Sequence, residues 1–176
     1  MQTGISEASI SESNIPEGWH GTAATISAMQ AMVSKGKRDW SLIWIASKLV
    51  GLCGHKDFQC FAESAFSFVK SSVAYMPDPR GIELVESPMK ALERGASDCD
   101  GLSVLFNTLC EIMGMRTSFK TVKADASRPG EFTHVYSLVR VPKIGVLAAD
   151  ASVESSQLGW EPRGFESQVW GGSLEP

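Results

Sequence analysis

Apolar residues in this chain recur every three to four positions from about residue 22 to residue 113, and past Gly114 the pattern changes to short, strand-like runs. A chain ordered this way builds helices first and a sheet last, which restricts it to an α+β fold. The first stripe (residues 22–34) carries Ile26, Met29, Met32 and Val33 and closes at Gly36. A second helix is expected over 39–52, with Leu42, Ile45, Ala46 and Leu49 on one face. The third starts at Asp57, a natural N-cap, and carries Phe58, Phe61, Ala62, Ala65, Phe66 and Val69. Ser87 followed by Pro88 opens a short helix that ends at Gly95. A last helix begins near Cys99, buries Leu102, Leu105, Phe106, Leu109, Ile112 and Met113, and stops at Gly114. Strands are expected over 115–123, 132–141 and 144–150, forming a small antiparallel sheet packed on that last helix.

With 176 residues, the chain is long enough for one domain with a hydrophobic core. Residues 1–18 are Ser/Glu-rich and read as a flexible or partner-docked arm. Residues 19–162 form the domain, with its core over 57–162, and 163–176 read as an irregular tail. The net charge of −4 has no basic stripe, which argues against nucleic-acid binding. The strongest apolar stretch, residues 41–53, is interrupted by Lys48 and too short to insert across a bilayer. The start has no basic region or apolar run of a secretory signal, so synthesis in a cytosol is expected.

The four cysteines are expected to be free thiols in such a compartment. Cys110 falls on an apolar helix face and reads as core. Cys53 and Cys60 flank His55, but no second ligand pair completes a zinc site. The helical stripes are core-facing, and no cofactor or metal is invoked.

Cys99 stands apart because it sits at a helix start, where unpaired N–H groups and the helix dipole favour thiolate and could form an oxyanion hole. Asp98 and Asp100 oppose that charge unless they cap the helix. A lone cysteine is commonly an inert buried residue, and a lone strand histidine is commonly structural. His134 lies in the strand Phe132-Thr133-His134-Val135-Tyr136, and Asp150 closes an otherwise apolar strand. Together they make a nucleophile, a base and an orienting carboxylate. The pairing imposes a condition on the chain. His134 and Asp150 share a sheet face only if residues 142–144 make an odd-length turn that pairs Val141 with Gly145.

Glu93-Arg94-Gly95-Ala96-Ser97-Asp98-Cys99-Asp100, the helix ending at Gly114, His134-Val135-Tyr136 and the strand ending in Asp150 resemble the transglutaminase-like superfamily core. The segments from Tyr75 to Pro88 and from Leu158 to Pro162 look like those of transglutaminase-like proteins of tailed bacteriophages and prophages. The resemblance implies a papain/transglutaminase-like fold and a Cys99–His134–Asp150 triad that attacks an amide carbonyl. It also makes Tyr75 the candidate for assisting the oxyanion. Relatives commonly read Gly-Asp-Cys-Asp-Asp where this chain has Ser97-Asp98-Cys99-Asp100-Gly101.

The implied function is a cysteine peptidase or amidase acting on a protein or peptidoglycan peptide, in the host cytoplasm or in a virion. The other reading is a tail-tip or baseplate component that uses the fold as a scaffold and binds other virion proteins. Acyl transfer to an amine is a third outcome of the same chemistry.

Overall fold

The computed structural model describes residues 18–78, 85–164, 166–172 and 174. The expected arm at residues 1–18 lies outside them except for Gly18. Among the described residues there are five helices: α1 (Trp19–Gly36), α2 (Trp40–Val50), α3 (Phe58–Ser72), α4 (Pro88–Arg94) and α5 (Cys99–Ile112). Two two-residue strands, β1 (Ala74–Tyr75) and β2 (Ala96–Ser97), flank α4. Then follow β3 (Arg116–Val122), β4 (His134–Val141), β5 (Gly145–Ala149) and β6 (Ser167–Trp170).

The caps explain where the helices begin. Asp39 accepts from the Ser41 N–H, Asp57 from Cys60, Ser87 from Lys90 and Asp98 from Gly101, each satisfying a first-turn donor. Gly95 ends α4 in the left-handed region at φ 66°, a conformation that suits glycine. At the centre, α5 is buried at every position from Asp100 to Cys110. Its Leu102, Leu105 and Leu109 are each at most 1% exposed, and each contributes about 2 kcal/mol by leaving water. Helices α2, α3 and α4 cover one side of it with Leu42, Phe61, Phe66, Val69 and Ala91. On another side, α1 and the sheet contribute Ile26, Met29, Phe119 and Val135.

The sheet order is β5-β4-β3-β6 with antiparallel neighbours throughout. Val141 pairs with Gly145, the odd-length connection required above. The helices and three strands thus lie where the apolar pattern puts them, and the fold class is α+β.

Three features differ from expectation. Part of the tail read as irregular forms β6, whose four residues complete the sheet against β3; so short a run lacks a readable period. The loop after α3 contains β1, which pairs in parallel with β2. Cys53 and Cys60, expected as free thiols, form a disulfide. They lie at the corner between α2 and α3, which brings their Cα atoms to 5.8 Å, a bridging separation. Among the described residues, no helix is long and apolar enough to cross a membrane.

Candidate active site

The short β1–β2 pair brings a distant loop to the nucleophile helix. Tyr75 pairs with Ser97, and the Met76 N–H donates to the Ser97 carbonyl at 2.8 Å. Two residues past Ser97 the chain enters α5 with Cys99 as its first residue, and the Asp98 carboxylate accepts from the Gly101 N–H at 3.0 Å. Asp98 is therefore the N-cap, the condition under which a flanking carboxylate is structurally useful.

The Ser-for-Gly and Gly-for-Asp departures are linked in space. Ser97 is 2% exposed, and its hydroxyl donates to Glu86 Oε1 at 2.5 Å. A Cβ placed on Gly101 would lie 1.9 Å from Ser97 Oγ. The serine thus occupies the space that the missing side chain at 101 leaves open. Arg94 completes the group by pairing with Glu86 at 2.9 Å.

His134 begins β4, opposite Val122 of β3. Its Nε2 lies 2.8 Å from Asp150 Oδ2, and the Asp150 residue is 1% exposed. Burial pulls the Asp150 carboxyl upward, but the His134 contact and the Ser152 hydrogen bonds outweigh it and hold the group below its ordinary value. Asp150 is then ionised at neutral pH and can only accept, so the shared proton is on His134 Nε2. In the neutral imidazole this leaves Nδ1 with the free lone pair.

Asp150 has its own support. Its Oδ1 accepts from Ser152 N at 3.0 Å and Ser152 Oγ at 2.6 Å, while its carbonyl oxygen lies 2.5 Å from Ser156 Oγ. Lys70, reaching over from α3, donates to the carbonyls of Val153, Glu154 and Ser156 at 2.9, 2.8 and 2.8 Å. Sequence reasoning passed over these residues. Ser152, two positions after an aspartate, carries the signature of an Asx-type turn and could have been noticed. Lys70 has no local signal, being 83 to 86 residues from its partners.

The state of the thiol depends on which of the two opposing tendencies read from the sequence prevails. Cys99 is partly exposed, and its Sγ donates to Asp100 Oδ1 at 3.6 Å. Burial of the sulfur, followed by the charges of Asp100 and Asp98, drives the thiol well above its ordinary range, and the Val135 N–H opposes this only in part. The helix start favours thiolate, but two adjacent carboxylates and desolvation win. That Val135 contact places the sulfur beside β4, one residue along the strand from His134. Burial raises the Tyr75 phenol, as do the charges of Cys99, Asp98, Asp150 and Asp100, so it stays protonated and able to donate. Tyr75 is 48% exposed at the same mouth. Asp98, Cys99 and Asp100 also offer three ligand atoms within 4.8 Å of one another, a set that could hold a cation. Both carboxylates are already engaged, Asp98 Oδ1 in capping the helix and Asp100 Oδ1 in accepting a hydrogen bond from the thiol.

Among known proteins, no family model matches the chain. A search of curated proteins also finds no match. Solved structures do share its fold. A putative cysteine protease from Cytophaga hutchinsonii aligns with TM-score 0.50 and 16% identity over 75% of this chain. A putative protease from Parabacteroides distasonis aligns with TM-score 0.50 and 11% identity over 79%. The chain spans 46% and 32% of the lengths of those two proteins. At such identity the likeness is one of fold: the chain has a cysteine-peptidase-like fold.

Proposed function

We propose that the protein is a transglutaminase-like thiol hydrolase that cleaves an amide or isopeptide bond, with Cys99 as nucleophile, His134 as base and Asp150 as orienter. The observation that carries this reading is the 2.8 Å contact between His134 Nε2 and the buried Asp150 carboxylate, which fixes the tautomer a base requires. Because the resting thiol is protonated, His134 acts as a true general base rather than as half of a preformed ion pair. Its Nδ1 takes the thiol proton as sulfur attacks the carbonyl carbon, and Tyr75 donates to the developing oxyanion. The C–N bond breaks, the imidazolium gives its proton to the leaving amine, and a thioester remains. Water, deprotonated by His134, then releases the acid and the free thiol; an amine in its place would complete acyl transfer.

The proposed substrate is a protein or a peptidoglycan peptide, and the phage-like segments around the core suggest a phage or prophage setting with virion proteins as partners. The Cys53–Cys60 disulfide suits a working environment more oxidising than a cytosol. A second reading, a virion scaffold on a peptidase fold, draws on the thiol held neutral by burial and then by the charges of Asp100 and Asp98.

Alkylation of Cys99, followed by peptide mass spectrometry between pH 6 and 10, tests the choice. The hydrolase reading expects labelling that slows in His134→Ala and accelerates at neutral pH in Asp100→Asn. Labelling indifferent to His134, with no acyl-enzyme formed from an activated ester, would leave the scaffold.

A further inference from the structure

Helix α2 is apolar on nearly every side, including the side that faces water. Its Leu42, Ala46 and Leu49 are buried in the core shared with α3 and α5. Trp40, Trp44 and Lys48 recur every four positions and therefore run along one outward stripe. Trp40 is 82% exposed and Trp44 62%, and the two line an open groove with Ser41 and Ile45. Leu52, in the turn after the helix, is 77% exposed. An indole side chain spans about 150–250 Å², so the pair alone reaches the few hundred Å² at which an exposed apolar patch marks an interaction surface. The packing of the domain does not call for these tryptophans, because the core lies on the opposite side of α2.

The charges around the patch narrow the partner. Residues 35–57 hold five basic side chains and two acidic ones, in a chain whose net charge is −4. Both acids, Asp39 and Asp57, cap the starts of α2 and α3. Lys37 pairs with Glu111 at 2.7 Å. Lys35, Arg38, Lys48 and Lys56 are exposed, and none has a carboxylate partner among the described residues. Lys48 Nζ lies 5.3 Å from the Trp44 ring centre, so its stem runs beside the indole. Lys35 and Arg38 precede α2 and Lys56 follows it, at a corner held by the Cys53–Cys60 bridge, so positive charge brackets the tryptophans at both ends.

A second copy seated on this face about a two-fold axis would set these cations against their own images. Lysine is also depleted from protein interfaces. An anionic bilayer suits every part of the patch: indoles settle among the headgroups, lysine stems lie along them, and the cations meet lipid phosphates. With 11 residues, α2 is about 16 Å long, enough to lie in the interface and too short to cross it.

We propose that α2 docks flat on an anionic phospholipid surface, with Trp40 and Trp44 entering the headgroup region and Lys35, Arg38, Lys48 and Lys56 facing the phosphates. None of these residues belongs to the Cys99 site, and the inference does not rest on the hydrolase reading.

Flotation of the full chain with phosphatidylcholine vesicles, with and without about one-third phosphatidylglycerol, tests this. Binding to the anionic vesicles should be stronger by about tenfold or more. At roughly fivefold per cation, Arg38→Gln/Lys56→Gln should weaken it about 25-fold. Trp40→Ala/Trp44→Ala should weaken it by about tenfold or more. Lipids brominated near the headgroup should quench tryptophan fluorescence in the wild type and not in the tryptophan variant. The substituted side chains are exposed, and an unchanged circular-dichroism spectrum verifies that each variant is folded. No flotation, or equal flotation on both kinds of vesicle, overturns the proposal. So does flotation undiminished in Trp40→Ala/Trp44→Ala, which would reduce the effect to adsorption of charge. A dimer dispersed by that variant, without flotation, overturns it in favour of a second copy. Should the tryptophan variant not fold, the quenching and Arg38→Gln/Lys56→Gln decide.

Discussion

His134 and Asp150 meet at 2.8 Å because β4 and β5 are joined by a turn that pairs Val141 with Gly145, which turns both side chains to one face of the sheet. Asp150→Asn keeps the shape but can present an amide N–H to Nε2, which destabilises the tautomer that frees Nδ1. The expected loss is about 10³–10⁴-fold in acylation rate with an activated ester, by analogy with other triads, and little change in folding. An acylation rate within a few-fold of the wild type would remove Asp150 from the machinery.

Asp98 gives the protein a signed pH dependence. Burial, opposed by the Gly101 N–H and reinforced by Asp78 and Glu86, pushes its carboxyl up to about 6. The fold therefore prefers the neutral acid. The contribution of Asp98 to stability is full below about pH 4 and is withdrawn as pH rises through about 6. Asp98→Asn, which retains a capping oxygen, should be more stable than the wild type at pH 8. For a partly exposed side chain the gain is on the order of 1 kcal/mol. The difference should vanish near pH 4. Urea denaturation at pH 4, 6 and 8 measures it, and a gap that widens toward acid contradicts the assignment.

Lys70 ties the 153–156 loop to α3 through three carbonyl contacts while Ser156 holds the Asp150 carbonyl, so on the proposed function it positions Asp150. Lys70→Met should cost about 2–3 kcal/mol in chemical denaturation, because charge-assisted hydrogen bonds are lost. It should also accelerate amide exchange across residues 150–156 and slow acylation without weakening ester binding. Lys70→Arg should recover part of each. Faster exchange spread evenly over the whole chain would mean that the lysine serves general stability only.

Ser97 and Gly101 form the most direct test of local packing. Gly101→Ala alone drives its methyl into Ser97 Oγ and should cost about 1–3 kcal/mol. Ser97→Gly empties that space, so the double variant Ser97→Gly/Gly101→Ala should be more stable than the sum of the two single effects predicts. A coupling of about 0.5–3 kcal/mol is expected from a thermodynamic cycle. Strict additivity would show that the two substitutions do not share the space.

Much of this architecture is readable along the chain. Asp39, Asp57, Ser87 and Asp98 mark helix starts because capping is a contact between residues two or three apart. β3, β4 and β5, whose burial does not alternate (β4 is buried throughout from Val135 to Val139), are readable as short runs rich in apolar and β-branched residues bounded by turns. β1, β2 and β6 are not, being two to four residues long and defined by their partners rather than by their composition.

For the candidate site, the chain order alone provides the three reactive residue types, and the even spacing of strand side chains states the turn length under which two of them share a face. Only the folded structure decides that the thiol is protonated, since that depends on how much water the surrounding atoms remove from the sulfur and on the carboxylates nearby. The Cys53–Cys60 bridge, the Lys70 clamp and the Ser97–Gly101 fit belong to the same class. Each depends on side-chain distances set by how helices, turns and loops pack, and distances of that kind leave no periodic trace in a sequence.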